Sequence, residues 1–319
     1  MASKFSYGEY FRGSTVLGEL LRTEENPSWL TKMPLEVPKT KNLIYLGCNV
    51  FKTVHLVETL CKILDHLGVD YKAVGGPVFC CGTVHRKKGD VRVGEGMFKR
   101  TVSVFDQFES DTLVHWCPSC EEEFEFSESL NTLTSRQIHF SEFLLDLLRG
   151  RSFHNSVPRR VAFHYHGGEA RAEKESQHTL AILRSIPGLE VVPLLAPSSF
   201  GTHCASQGAV RILGIEGYQK AVQEQFEEVK KLQCDGLVSV YHSCHREFAK
   251  ARRGSDVEVV NYLSLVAQAL GLTLPEDKFQ KLASLRSLDR AVAELLPAAA
   301  KRGIEKSVVE SVLKSQLTF

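Results

Sequence analysis

The sequence lacks a charge surplus of either sign: 39 lysines and arginines stand against 38 aspartates and glutamates, a formal net charge of +1. That balance removes any chain-wide electrostatic case for nucleic acid or an anionic membrane as partner. Long apolar runs are also missing. None approaches the roughly 18–20 residues needed to cross a bilayer, so no direct membrane span is expected. The opening MASKFSYGEYFRGS has neither the apolar stretch nor the small-residue cleavage site of a secretory leader, and a cytoplasmic location is expected. No G-x-G-x-x-G opens a helix after a strand and no P-loop occurs, which excludes the usual cradles for a tightly bound nucleotide. What is present is a 319-residue chain, 43% hydrophobic and 24% charged. Those are values of a globular protein, long enough for one large core or two domains.

Cysteine is not scarce. There are nine: Cys48, Cys61, Cys80, Cys81, Cys117, Cys120, Cys204, Cys234 and Cys244. In a reducing compartment clustered thiols point to metal binding or redox chemistry rather than to a disulfide framework. Their places follow the chain's periodicity. KNLIYLGC is a short run of strand formers ending in Cys48, followed by a helical pattern through LVETLCKILDHLG. VDYKAVGG reads as a second strand leading into Cys80-Cys81-Gly82, GDVRVGEGMFKRTVSVFDQF as a helix, and DTLVHW as a third strand leaving through CPSC. The order then recurs: RRVAFHYH, a helix, LEVVPLLA, the loop FGTHCASQG, a helix, DGLVSVY and HSCH. A repeat of about 120 residues predicts an α/β chain of two tandem Rossmann-like halves, parallel sheets with flanking helices, followed by a helical C-terminal tail. The expected segments are an irregular N-terminal extension (1–40), a first half (41–155), a second half (156–275) and a tail (276–319) that packs onto the core.

In the first half Cys48, Cys80, Cys81, Cys117 and Cys120 all fall where a strand gives way to a helix. In an open parallel sheet those junctions share one edge, where ligands gather. Five thiolates there would sit near helix N-termini, which favour negative charge. Zinc takes four thiolates, so five leave one over, and the count favours an iron–sulfur cluster. Cys61, in mid-helix, and Cys234, away from the junctions, are expected in the core.

The pattern C-x31-CCG-x34-C-x-x-C from Cys48 to Cys120 resembles the cysteine-rich CCG domain found in the catalytic subunit of heterodisulfide reductases and in iron–sulfur subunits of glycolate and lactate oxidation systems. Its second spacer is slightly short for that family. The resemblance implies a noncubane [4Fe-4S] cluster held by Cys48, Cys80, Cys81, Cys117 and Cys120, with Cys81 or its neighbour bridging two irons.

The second half departs from this pattern. Gly167 stands where Cys48 stood, His203 replaces Cys80, Cys204 matches Cys81, Tyr241 replaces Cys117, and Cys244 matches Cys120. A second five-thiolate site is therefore not expected. His164, His166, His203 and His242 fall at the junctions with Cys204 and Cys244, and His245 lies beside them. Three readings stay open: a metal pocket suited to zinc, a metal-free substrate pocket in which His203 and Cys204 act as catalytic groups, and relic positions.

The expected function is an iron–sulfur oxidoreductase or electron-transfer subunit acting on a disulfide, thiol or related sulfur-containing small molecule. No C-x-x-C-x-x-C-x-x-x-C-P run and no flavin or NAD fingerprint is present, so an electron-donating flavin- or ferredoxin-type protein subunit is implied. The rival is a non-catalytic zinc or iron–sulfur scaffold subunit. A zinc hydrolase or lyase in the second half has no H-E-x-x-H to support it. The basic loop HRKKGD beside Cys81 reads as solvated surface or as a lure for an anionic partner.

Overall fold

The computed structural model of the chain describes residues 5–25, 27–167, 169–195, 207–252 and 255–317. The chain divides into two compact units, Met1–Phe143 and Leu144–Phe319. Each is built on its own parallel sheet.

In the first unit the strands are β1 (Trp29–Leu30), β2 (Asn42–Gly47), β3 (Tyr71–Gly75), β4 (Thr112–His115) and β5 (Arg136–His139), in the spatial order β1-β3-β2-β4-β5. Every pairing is parallel. Crossover helices are what parallel neighbours require, and the chain supplies α2 (Val54–His66) between β2 and β3, and α3 (Thr83–Lys87) and α4 (Val91–Asp106) between β3 and β4. Helix α5 (Pro118–Phe126) follows β4, and α6 (Phe140–Leu148) follows β5. All six residues of β2 are buried, as expected of a central strand covered on both faces. Helix α4 turns Phe98, Val102 and Phe105 into an aromatic core with Tyr45, Phe79 and Phe124. Their spacing of four and three is the inward stripe of a helix.

The extension before β2 is not irregular. It contains the helix α1 (Tyr7–Leu21) and the edge strand β1. Helix α1 carries Gly8, Gly13 and Gly18, which weaken intrinsic helix propensity. The N-cap Ser6 and the burial of Leu17, Leu20 and Leu21 offset that through capping and tertiary packing.

The second unit repeats the plan. Its strands β6 (Arg159–Tyr165), β7 (Leu189–Leu195), β8 (Gly236–Ser239) and β9 (Glu258–Asn261) pair in parallel in the order β7-β6-β8-β9. This matches β3-β2-β4-β5, so the internal repeat read from the sequence is a repeat of topology. Its helices are α7 (Ala170–Arg184), α8 (Gln207–Lys231, broken at Gly214), α9 (His242–Ala251) and α10 (Tyr262–Ala269). The strands β5 and β9 are hidden in the sequence because each runs straight into a helix, α6 or α10, with no turn residues between them. The tail forms α11 (Lys278–Ser284), α12 (Leu288–Lys301) and α13 (Lys306–Gln316). Phe279, Leu282, Leu295, Val309 and Leu313 are buried there, and α11 packs on α9.

Among the described residues no helix is long and apolar enough to cross a membrane.

Candidate metal centre

In each sheet the strand order reverses direction next to the first strand of the repeat, between β2 and β4 and again between β6 and β8. Such a switch point opens a crevice outside the carboxyl ends of the strands. Cys48 follows β2 directly, Cys80 and Cys81 leave β3 through a 3-10 turn at Pro77–Phe79, and Cys117 and Cys120 lie at the start of α5 behind β4.

These five residues come together. The Sγ of Cys48 and Cys80 are 3.9 Å apart and those of Cys81 and Cys120 are 3.6 Å apart. Cys120 is further hydrogen-bonded with Cys117, and Cys80 with Cys81. All five are free thiols and buried. The Cys48 hydrogen bond raises the Cys80 pKa, and burial adds to it. Cys120 is raised by its hydrogen bonds with Cys117 and Cys81 and by burial. At Cys81 the Cys120 hydrogen bond pulls down, but the Cys80 thiol and burial outweigh it. Thiols packed this closely in an apolar setting give up protons only to a cation that takes their charge. The donor set, soft, buried and five strong, fits a multi-iron cluster better than one tetrahedral ion.

The scaffold around the thiols is specific. Gly82 has φ +88°, and a Cβ there would stand 2.2 Å from the Gly94 carbonyl oxygen of α4. Only glycine combines that backbone with that approach. Gly47, at φ +85°, would place a Cβ 2.9 Å from Cys117 Cβ and 3.2 Å from Cys120 Sγ. Backbone anchors complete the frame: Ser14 Oγ donates to the Cys48 carbonyl at 2.8 Å, Thr101 Oγ1 to the Cys80 carbonyl at 2.8 Å, and Tyr45 Oη to the Phe79 carbonyl at 2.6 Å. The basic loop is engaged within the unit. Arg86 pairs with buried Glu123 at 2.7 Å, Lys87 with Glu122 at 2.7 Å, and Lys88 lies over the Phe5 ring. Arg86 thus ties α3 to α5. Neither this clamp nor the Gly47 approach follows from the sequence pattern; the signal for the clamp is a glutamate on the inward side of a short helix.

In the second unit His164, at the end of β6, His166 just beyond it, and Cys244, in the first turn of α9, each offer a ligand atom within 4.8 Å of the other two. All three are buried. Cys244 Sγ is 3.6 Å from His166 Nε2, and His164 Nδ1 meets Gln225 Oε1 at 3.1 Å. Burial lowers the His164 pKa against the opposing Cys244 hydrogen bond. His242 lies outside this trio, and His245 turns away to Asp277, 2.7 Å from Nε2. His203 and Cys204 lie outside the described residues. Gln225 is not foreseen by the motif; a polar residue on the buried side of α8 is its only trace.

Of the cysteines placed outside the sites, Cys61 is buried in α2, where burial pushes its thiol up to about 12. Cys234 is not in the core. It is half-buried after α8, its Sγ 3.7 Å from the Leu232 carbonyl.

Residues 43–125 match the family model of the cysteine-rich CCG domain. The chain is 24% identical over 268 residues to one subunit of the dihydromethanophenazine:CoB--CoM heterodisulfide reductase of Methanosarcina acetivorans, covering 80% of this chain and 65% of that one. It is 23% identical to lactate utilization protein A of Geobacillus thermodenitrificans, covering 57% of this chain and 79% of that one. The chain therefore spans 60% to 65% of the length of the heterodisulfide reductase subunits it matches. A hypothetical protein from Helicobacter pylori has a similar fold, with a TM-score of 0.54 at 11% identity over 88% of this chain and 57% of that one.

Proposed function

We propose, from the premise that this chain carries a cysteine-rich CCG domain over residues 43–125, that it is an iron–sulfur electron-transfer subunit related to heterodisulfide reductase. The observation that supports this most is the meeting of five buried thiols from the ends of three strands.

Cys48, Cys80, Cys81, Cys117 and Cys120 would hold a [4Fe-4S] cluster of the noncubane type. The chemistry such a cluster supplies is one-electron exchange at a thiolate-ligated iron. The remaining work falls to the protein. Gly47 and Gly82 let two loops approach closely enough for the thiols to meet. The Arg86–Glu123 pair holds α3 against α5 and so keeps Cys81 beside Cys120. Helix α1 is bonded through Ser14 Oγ to the Cys48 carbonyl and so fixes the backbone of the first cysteine.

The substrate class is a disulfide or thiol. Reduction of a disulfide consumes two electrons and two protons and releases two thiols. The electrons would come singly from a flavin- or ferredoxin-type partner subunit, and the protons from solvent.

The test is anaerobic purification followed by iron and acid-labile sulfide analysis and electron paramagnetic resonance. About four irons and a paramagnetic signal that responds to a thiol substrate are expected. Protein free of iron and sulfide, with zinc on the five cysteines, would overturn the reading in favour of a scaffold subunit.

A further inference from the structure

The second unit repeats the topology of the first but has exchanged its sulfur ligands for imidazoles. We propose that His164, His166 and Cys244 form a binding site for one zinc ion, separate from the five cysteines.

Geometry carries the proposal. Zinc bonds sulfur at about 2.3 Å and imidazole nitrogen at about 2.0–2.1 Å, and a tetrahedral angle then sets the two donors about 3.6 Å apart. Cys244 Sγ and His166 Nε2 are 3.6 Å apart. The ligand atom of His164 lies within 4.8 Å of both. A fold that places three donors of the right type at that spacing needs little rearrangement to bind.

The surroundings are those of a ligand set. Metal-bound histidines usually give their second ring N–H to an oxygen acceptor, which fixes tautomer and orientation. Gln225 Oε1 stands 3.1 Å from His164 Nδ1. An amide oxygen only accepts, so Nδ1 carries the hydrogen and Nε2 keeps its lone pair for a metal. His166 is fixed differently: its backbone N–H donates to Ser176 Oγ at 3.0 Å, and its ring lies against Tyr241, with centroids 4.8 Å apart. The Tyr241 hydroxyl is in turn hydrogen-bonded to Glu175. Cys244 sits in the first turn of the ten-residue helix α9, where the helix dipole favours a thiolate. On binding, the Cys244 thiol loses its proton to solvent as the Zn–S bond forms, and the two neutral imidazoles complete three corners of a tetrahedron. The fourth corner is left for water or an exogenous ligand.

The site draws on donors that the iron–sulfur reading does not use, so the two stand or fall apart. The full chain, produced with both iron and zinc supplied, is analysed by metal content and zinc X-ray absorption. About one zinc with one sulfur and two imidazole nitrogens in its shell is expected. Cys81→Ser should lose iron and keep this zinc. Cys244→Ser and His166→Gln should lose zinc and keep iron, and Gln225→Leu should weaken zinc affinity about 10- to 100-fold. A zinc-free chain, or an iron-loaded one whose zinc shell holds three or four sulfurs, overturns the proposal whatever the variants do. Should the variants fail to fold, the absorption spectrum of the unaltered protein decides alone.

Discussion

The thiols of Cys81 and Cys120 stand 3.6 Å apart although 39 positions separate them in the chain. One leaves β3 through a tight turn, and the other enters α5 behind β4. Parallel strands whose carboxyl ends share an edge bring them together. Cys81→Ser should therefore remove most bound iron and any redox activity. Cys61→Ser, within α2, and Cys234→Ser, after α8, should retain both. Iron analysis of the three variants, purified without oxygen, checks this. Full iron in Cys81→Ser removes that residue from the ligand set.

The glycine that follows the paired cysteines has a stringent environment. Gly82→Ala combines a positive-φ penalty of about 1–2 kcal/mol with overpacking of about 1–3 kcal/mol, because its Cβ would meet the Gly94 carbonyl oxygen at 2.2 Å. A loss of about 2–5 kcal/mol is expected in urea unfolding of the iron-free protein. Gly89→Ala is a suitable control: its φ is also positive, but nothing lies within 4 Å of the added Cβ, so only the backbone penalty should appear.

Arg86→Met should be more harmful than its partly exposed position suggests. It leaves Glu123 buried without its guanidinium, which costs about 3 kcal/mol, and it frees α3 from α5. The double variant Arg86→Met, Glu123→Met should recover most of that stability, since the cost lies in the unpaired charge. Thermal unfolding of the single and double variants makes the comparison. Equal stability of all three proteins would show that the pair contributes nothing.

A carboxylate in the second unit gives a pH prediction. Burial opposes the charge of Glu247, yet Arg246 at 3.0 Å and Lys250 at 2.9 Å outweigh it and lower its pKa. An acid whose pKa falls on folding adds stability above its unfolded value of about 4.3, and that stability is lost as pH drops through the folded value. Glu247→Gln should thus destabilise at pH 7 by about 3 kcal/mol, with the gap from the unaltered protein closing in acid. Urea unfolding at pH 7 and below pH 4 measures it; a gap that widens in acid contradicts the sign.

Much of this arrangement is legible in the sequence. Strands alternating with helices, each ending at a cysteine, force those residues to one sheet edge, and the spacing recurs after the repeat. Less legible is whatever depends on direction around a helix. His242, Cys244 and His245 are near neighbours in sequence, but α9 turns about 100° per residue. Cys244 therefore meets the end of β6 while His245 reaches Asp277. Helix α1 is masked by its glycines, and Cys234 escapes the core because a cysteine two or three residues past a helix is not bound to that helix's buried face. Gln225 and the Arg86–Glu123 clamp are long-range pairings that no local pattern announces.

The hydrogen bond from Ser14 Oγ to the Cys48 carbonyl ties the N-terminal helix α1 to the loop that carries the first of the five buried cysteines. A polar bond made away from water couples the fit of that helix to the position of Cys48. Ser14→Ala is therefore expected to loosen the proposed cluster site from a distance, without touching any of its sulfur donors.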